Sequence, residues 1–292
     1  MAPGAPVFER MGIYIDGRVG NELAELERAG CALTAGSVYD RAQMHYLGRE
    51  VLEEMASACG LVRRGEGVEG SGAPLEALPR VLDVGSGYAG DANLLVEEYE
   101  CRVTALEMQA HISVAAERLT AAVGGRAAAR VTHATGDVAA WEAAGGEAFD
   151  AAVSVLVLLH APRRSETLAG VRRALKPGAC FYVEDYFARN ALTEEDAAAL
   201  RDTVACPYLP DKATYEAQLD AAGFEVVRWQ DMSAVWAAFV SERKAAWEAA
   251  RERHVRVHGE QLYAELTHFY VTVEKLFCGG NLGGVRLIAK AK

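Results

Sequence analysis

Residues 80–90 read RVLDVGSGYAG, a short apolar strand that runs into three glycines spaced G-x-G-x-x-G. The helix-like segment ANLLVEEY follows at residues 92–99. Glycines at positions 85 and 87 permit a tight turn and a close backbone approach to a ligand, which a Cβ would obstruct. The stretch therefore predicts a nucleoside-type ligand site between the first strand and first helix of an α/β sheet. By itself the spacing also fits a nicotinamide or flavin dinucleotide.

Strand-like and helix-like segments alternate from residue 80 to residue 186. The further strand-like segments are CRVTALE (101–107), ARVTHATGD (129–137), FDAAVSVLVLL (149–159) and ACFYVEDY (179–186). Helical segments of about 10–15 residues separate most of them, which indicates βαβ units and a parallel sheet. The nearly continuous apolar run at 151–159 fits a strand buried on both faces. These patterns predict an α/β fold.

The rest of the chain is predicted to surround this core. Residues 1–65 are expected to form an N-terminal helical cap, with helices at 19–29 and 40–59, and residues 66–79 a glycine-rich linker. The core is expected to cover residues 80–292. It would include lid helices at about 193–222 and 233–277, a strand in FEVVRWQDM and a final strand in GGVRLIAKA.

Composition excludes several classes of partner. The 292 residues include 41 acidic and 30 basic side chains, a net charge of −11. This acidity argues against nucleic acid and anionic membrane surfaces, both of which require clustered Lys and Arg. The six cysteines are too widely spaced for a CxxC pair, so no metal site is predicted and reduced thiols are expected. The N-terminus lacks the charged and apolar regions of a signal peptide, so the expected location is cytoplasmic.

Three acidic residues narrow the identity of the ligand. Asp83 lies two residues before the first glycine, where its carboxylate could accept from a cationic amino group. Glu107 ends the second strand and could bind both ribose hydroxyls, although dehydrogenases also place an acid there. Asp137 ends the third strand, where it could accept from an adenine amino group.

Taken together, these residues resemble the class I S-adenosylmethionine-dependent methyltransferases. The resemblance covers about residues 80–186, including LKPGACFYVEDY at 175–186. It implies a Rossmann-like, seven-stranded methyltransferase fold with an antiparallel last strand, and S-adenosylmethionine lying across the carboxyl ends of the first and second strands. The cofactor-binding residues that it implies are Asp83, Gly85, Ser86, Gly87, Glu107, Met108, Asp137, Val138 and Ser154.

His160 follows the fourth strand, where an imidazole facing the ligand crevice can act as a general base near neutral pH. A strand-capping core histidine is the alternative. The segments LLHAPRR, VEDY and DAAGFEVVRWQDMS resemble the small-amine N-methyltransferases, including the phosphoethanolamine and sarcosine/dimethylglycine enzymes. That branch implies a catalytic His160 paired with an N-terminal tyrosine, for which Tyr14 and Tyr39 are candidates.

The methyl acceptor is expected to be a small molecule. A methylated ammonium product would favour aromatic walls through cation–π attraction, for which Tyr186, Tyr208 and Trp236 are available. Arg163 is a candidate for an acidic substrate group. The phosphoethanolamine enzymes carry an Arg-Asp pair where this chain has Val155 and Leu156, so a carboxylated amine or a sulfur compound fits better than phosphoethanolamine.

The resemblance therefore implies an enzyme that methylates the nitrogen of a small amine or amino acid. An S-methyltransferase and a catalytically silent cofactor-binding subunit are the alternatives. A dinucleotide enzyme is less expected, because the three acids fit the methyltransferase pattern together. Arsenite methylation is also less expected, since Cys206 stands without a second thiol in its loop.

Overall fold

The computed structural model describes residues 7–65, 74–143, 146 and 148–292, with side chains from residue 17 onward. Seven strands form one mixed sheet: β1 Arg80–Val84, β2 Arg102–Glu107, β3 Val131–Thr135, β4 Phe149–Val155, β5 Leu175–Ala188, β6 Phe224–Asp231 and β7 Leu282–Ala291. Their spatial order is β3-β2-β1-β4-β5-β7-β6. Strands β1 to β5 pair in parallel, and β7 pairs antiparallel with both β5 and β6. The predicted α/β fold is confirmed.

Strand order fixes where a ligand can lie. The chain passes from β1 outward to β2 and β3, and then returns to place β4 on the other side of β1. In open α/β sheets, ligands bind at the carboxyl ends of the strands where the winding reverses in this way. The reversal lies between β1 and β4, so the crevice adjoins β4 as well as the β1–β2 ends that the sequence predicted.

Helices cover both faces of the sheet and one end of it. They are α1 Val7–Arg28, α2 Ala35–Ala42, α3 Arg49–Ala58, α4 Gly90–Glu98, α5 Ala110–Val123, α6 Gly125–Arg130, α7 Arg164–Ala174, α8 Glu194–Asp202, α9 Lys212–Ala221, α10 Ser233–Ala249 and α11 Arg251–Cys278. Gly259 interrupts α11 with a φ of +82°, which only glycine adopts readily. No helix in the described part of the chain is long and apolar enough to cross a membrane.

Two apolar clusters hold the sheet between its helices. One contains Val81, Val103 and Val153 with Leu95 of α4 and Met55 of α3. Because side chains alternate along a strand, the neighbouring strand residues face the other cluster. That second cluster includes Leu82, Ala152, Phe181, Leu168 of α7 and Tyr215 of α9. Burial on both faces explains why the central strands are almost entirely apolar.

The helical cap packs directly on the core. Helix α1 lies against α11, and α2 lies against α4. Gly90 makes the second contact possible, because a Cβ there would lie 3.3 Å from the Cα of Tyr39. The predicted linker falls partly on residues 66–73, which lie outside the described residues.

Three segments differ from the sequence prediction. The helix expected over 40–59 is two helices, α2 and α3, because the backbone becomes extended at Gln43 and has φ angles of +60° and +54° at Leu47 and Gly48, directly before α3. The strand expected to reach Leu159 ends at Val155, because Leu156 also has a left-handed backbone. The lid expected over 193–222 divides, since α9 packs on the sheet through Tyr215 and Leu219, whereas α8 packs against α11.

Candidate active site

A carboxylate cluster lies at the carboxyl ends of β1 and β2. It consists of Asp83, Asp91 in the first turn of α4, and Glu107. Burial raises the pKa of Asp83 well above its usual range, and the carboxylates of Asp91 and Glu107 raise it further. Its Oδ2 is buried and has no hydrogen-bond partner among the described residues. Such a group gains most from a ligand that brings a positive charge or a donor.

Glu107 is held in a fixed orientation by the backbone around it. Its Oε2 accepts from the Gly87 N–H at 3.1 Å, and its Oε1 accepts from the Gln109 N–H at 2.9 Å. Burial raises the pKa of Glu107, and these backbone donors act against that rise. Each carboxylate oxygen retains acceptor capacity beyond one backbone bond, so the pair can still bind two hydroxyl groups.

The glycine loop forms a cradle beside these acids. Gly85 has a φ of +74°, and a Cβ there would lie 2.5 Å from the side chain of Val157. Gly87 has a φ of +53° and no atom within 4 Å of the place a Cβ would occupy. The buried hydroxyls of Ser86 and Ser154 have no partner among the described residues. Open space, unpaired hydroxyls and an uncompensated carboxylate therefore fit the ammonium, sulfonium and ribose groups of S-adenosylmethionine.

The residues expected at the adenine end of the cofactor differ in exposure, because Met108 lies at the surface and Val138 in the core. Asp137 accepts from the Ala139 N–H at 2.9 Å and pairs with the Arg163 guanidinium at 3.0 Å. Met108 is 56% exposed at the rim of the crevice. Val138 faces the core instead, where Gly170 of α7 leaves no room for a Cβ, which would lie 2.1 Å from the Val138 carbonyl oxygen. The side chain and the carbonyl group of Val138 are therefore both packed against protein.

Arg163, which was expected to bind an acidic substrate group, already has carboxylate partners in the structure. Its exposed side chain bonds Glu166 at 2.6 Å as well as Asp137, so both ends of the guanidinium already have carboxylates. It is a surface ion-pair residue at the start of α7. Such exposed pairs contribute little to stability or recognition.

The break between α2 and α3 brings two unexpected side chains to the crevice. The Nε2 of His45 lies 3.2 Å from the Asp91 carboxylate, directly after the glycine loop. Burial alone would lower the pKa of His45, but Asp91 outweighs that effect and the pKa is raised. The next residue, Tyr46, shares a short hydrogen bond between its hydroxyl and that of Tyr186 at the end of β5.

Tyr46 and Tyr186 belong to an aromatic cluster that closes the crevice. Trp236 of α10 lies 4.8 Å from the Tyr46 ring, and Phe277 of α11 lies 5.2 Å from the Tyr186 ring, both edge to face. Trp236 is fully buried and its Nε1 has no partner among the described residues. Burial raises the pKa of both tyrosines, so their hydroxyls stay neutral. Two predicted aromatic walls, Tyr186 and Trp236, are therefore neighbours.

His160 lies in the short helical turn after β4, next to Leu159, which packs into the same aromatic cluster. Its Nδ1 lies 3.0 Å from the carbonyl oxygen of Ala205. Burial lowers the pKa of His160, so the ring is neutral near pH 7. A carbonyl can only accept, so Nδ1 carries the proton and Nε2 is the basic nitrogen.

An arginine pair lies on the other side of the aromatic cluster. The Arg243 guanidinium packs 4.9 Å from the centre of the Tyr46 ring and donates to the Met44 carbonyl oxygen at 3.3 Å. Arg18 donates to the Gln43 carbonyl oxygen at 3.2 Å. Burial and Arg243 lower the pKa of Arg18, whereas Tyr270 and Glu22 act against that fall. Within the described part of the chain neither guanidinium has a carboxylate within ion-pair distance, and the Nε of each is unpaired.

Backbone strain is concentrated around this crevice. Among the described residues, four that are not glycine have left-handed backbones: Leu47, Ala89, Leu156 and Ala205. Leu47 directly follows Tyr46, and Ala89 lies in the glycine loop. Leu156 follows the last residue of β4, and the carbonyl oxygen of Ala205 is bound to the His160 ring. Left-handed backbone costs a Cβ-bearing residue roughly 1–2 kcal/mol, and such costs cluster at functional sites.

Three tyrosine candidates remain. Tyr39 packs beneath Gly90, and its hydroxyl donates to the Gly48 carbonyl oxygen at 2.7 Å. Tyr208 is 45% exposed, whereas Tyr186 and Trp236 are buried. The side chain of Tyr14 lies outside the described residues. Sequence reasoning missed Tyr46, His45, Arg18 and Arg243, because each depends on the break after α2 or on long-range packing.

Comparison with known proteins identifies a methyltransferase domain and several relatives. Residues 82–181 match a family model described as a methyltransferase domain. The chain is 27% identical over 154 residues to a glycine/sarcosine/dimethylglycine N-methyltransferase from Actinopolyspora halophila, a match covering 53% of this chain and 27% of that protein. It is 28% identical over 151 residues to a dimethylglycine N-methyltransferase from Parasynechococcus marenigrum, covering 52% of this chain and 53% of that protein.

A solved structure extends the likeness beyond the central domain. Haemonchus contortus phosphoethanolamine N-methyltransferase 2, in complex with phosphomonomethylethanolamine and S-adenosylhomocysteine, superimposes with a TM-score of 0.70 at 20% identity. The superposition covers 86% of this chain and 54% of that chain. This chain thus spans about half or less of each of these relatives. Together the matched domain, the sheet order and the cradle show that the chain carries a class I, S-adenosylmethionine-dependent methyltransferase domain and resembles the small-amine branch of that class.

Proposed function

We propose that this protein methylates the nitrogen of a small amine that also carries an acidic group. The observation that carries this proposal is the arginine pair beside the aromatic cluster, since two partly buried guanidiniums with no carboxylate within ion-pair distance among the described residues favour an anionic ligand. Carbonyl groups at the end of α2 attract these cations but do not neutralise them. The named relatives act on amines with carboxylate or phosphate groups, which agrees with that requirement.

Asp83, Glu107 and the glycine loop would hold the cofactor in the cradle described above. When bound, S-adenosylmethionine supplies a methyl group that is activated for in-line displacement by its sulfonium. The chain contributes alignment of the acceptor and exclusion of water, which can account for a large part of the rate. Arg18 and Arg243 would bind the acidic group, and the rings of Tyr46, Tyr186 and Trp236 would pack around the amine.

An ammonium acceptor must lose a proton before its lone pair can attack. His160 is suited to accept it, because its ring is neutral and its proton is held on Nδ1 by Ala205, which leaves Nε2 basic. General-base catalysis of this kind contributes roughly 10²–10⁴-fold. We therefore expect His160→Ala to lower turnover by about that factor while the dissociation constant for S-adenosylhomocysteine stays unchanged. Unchanged turnover would make His160 a structural residue.

Labelled cofactor and a panel of acceptors test the proposed reaction. Sarcosine and dimethylglycine should be methylated in preference to their carboxamides, which keep the amine and lose the charge. Preference for a thioether would instead support S-methylation. Tight cofactor binding with no turnover of any acceptor would support a silent cofactor-binding subunit.

A further inference from the structure

A second cluster of functional side chains lies away from the crevice, where α1 meets the first part of α11. Glu22 of α1 faces His254 and His258 of α11, and one ligand atom from each lies within 4.8 Å of the other two. The histidines are four residues apart on one helix, which places both imidazoles on the same face. Glu22 and His258 are buried, and the side chain of His258 is fully enclosed.

The two imidazoles are held rigidly by stacking. The His254 ring lies 3.8 Å from the Trp247 ring at an interplanar angle of 21°. His258 continues the stack 5.8 Å from His254 at 16°. The Nε2 of His258 lies 3.2 Å from Glu22 Oε1, whereas its buried Nδ1 has no partner among the described residues. The donor groups are therefore preorganised, which removes much of the entropic cost of assembling a site.

The protonation states also suit coordination, which requires neutral imidazole and ionised carboxylate. Burial, Arg253 and His258 lower the pKa of His254 to about 4. Burial acts against ionisation of Glu22, but hydrogen bonds from His258 and Arg253 outweigh it and hold the pKa of that carboxyl well below its usual range.

We propose that Glu22, His254 and His258 form a binding site for one divalent transition-metal ion that joins α1 to α11. Two imidazoles and a carboxylate favour Zn²⁺, Co²⁺ or Ni²⁺ over Mg²⁺ and Ca²⁺, which prefer oxygen ligands. Water would complete the coordination. No metal site was predicted from the sequence, because Glu22 is more than 200 residues from the histidines and no cysteine pair marks the site.

Arg253 is the group that competes with a metal here. Its guanidinium donates to both oxygens of Glu22, at 2.9 and 2.7 Å, and also bonds Glu25. A metal ion would bind a carboxylate oxygen of Glu22 and so replace one of its hydrogen bonds from Arg253. Arg253 can keep its bond to Glu25. Removing the guanidinium should therefore strengthen metal binding, whereas an ion-pair network with no metal site would bind nothing in either form.

Cobalt and zinc titrations of the full chain test this site. The exposed thiols Cys31 and Cys278 would bind both metals, so we would use Cys31→Ser/Cys278→Ser protein, stripped with EDTA, as the background. We expect Co²⁺ to give the absorption of an imidazole-ligated, low-coordinate ion at one equivalent, and Zn²⁺ to displace it and raise the melting temperature.

Variants separate this site from other metal-binding groups. Glu22→Gln and His254→Ala should weaken Zn²⁺ binding about tenfold or more, and Arg253→Gln should strengthen it severalfold. His268→Ala changes an exposed histidine later on the same helix and should leave binding unchanged. The absence of binding by the background protein, equal binding by the His254→Ala protein, or no effect of Arg253→Gln would each overturn the proposal. Circular dichroism of each metal-free variant establishes that it is folded.

Discussion

Two kinds of buried charge lie close together in this molecule, and they differ in whether the chain itself neutralises them. Glu184 and Asp185 are consecutive on β5 and face opposite sides of the sheet. Glu184 pairs with Arg286 at 2.6 Å, and Asp185 pairs with Arg164 at 2.8 Å. Asp83 and the arginine pair, by contrast, have no oppositely charged partner within ion-pair distance among the described residues. Paired charges fix the fold, whereas uncompensated charges identify where ligands of opposite sign belong.

The largest effect is expected at a paired charge. Asp185 also accepts from the Tyr215 hydroxyl at 2.9 Å, and both Asp185 and Arg164 are buried. Asp185→Asn should lower the free energy of unfolding by about 3–5 kcal/mol, because Arg164 keeps its charge without a counter-ion. Denaturant titration measures the change. Glu195→Gln, which breaks an exposed pair with Lys275, is the matched control and should change stability by less than about 1 kcal/mol.

Replacing the uncompensated carboxylate of Asp83 should reduce ligand affinity and leave the stability of the fold intact. Asp83→Asn should weaken binding of S-adenosylhomocysteine by about 10–100-fold, because a charged hydrogen bond to the ligand ammonium is lost. The free energy of unfolding should stay the same or rise, since the neutral amide costs less to bury. Calorimetry and denaturation without ligand measure the two quantities. A loss of stability similar to that of Asp185→Asn would abolish the distinction between the two kinds of charge.

The arginine pair gives a smaller but more selective effect. Arg243→Gln should raise the KM for a carboxylated amine about tenfold and leave cofactor affinity unchanged, because we propose that Arg243 binds the acidic group of the acceptor. Arg228→Gln removes an exposed arginine paired with Glu54 and should leave the KM unchanged. If both substitutions change the KM equally, the acidic group is not bound by Arg243.

The smallest expected effect is the release of a proton from Asp83 when a cationic ligand binds. Because the pKa of Asp83 is raised, part of this carboxyl is protonated at a pH where an ordinary aspartate is fully ionised. A cationic ligand favours the ionised form, so binding should release a fraction of a proton, and affinity should rise as the pH rises through the raised pKa. Calorimetry in two buffers with different ionisation enthalpies measures the release. Asp83→Asn should abolish it.

The sequence was sufficient for those parts of the molecule that depend on short-range patterns. Alternating apolar segments predicted the parallel strands, and the glycine spacing with Asp83 and Glu107 predicted the cradle. The aromatic and arginine sides were less accessible to prediction. The pattern at 40–59 favours one continuous helix, whereas the chain leaves the helix at Gln43 and has positive φ angles at Leu47 and Gly48, and Tyr46 lies in this break. Arg243 is one of several arginines in polar helices, and what distinguishes it is the missing carboxylate, which only packing shows.

The left-handed alanines Ala89 and Ala205 also bear on protein engineering. Glycine at either position would remove a steric cost of about 1–2 kcal/mol, against a smaller entropic cost of folding. A screen for heat resistance alone would therefore select these two positions early. The same replacements would loosen the glycine loop and the segment whose carbonyl group is bound to His160. Variants selected for melting temperature at these positions should consequently lose catalytic rate, so such a screen should be paired with an activity measurement.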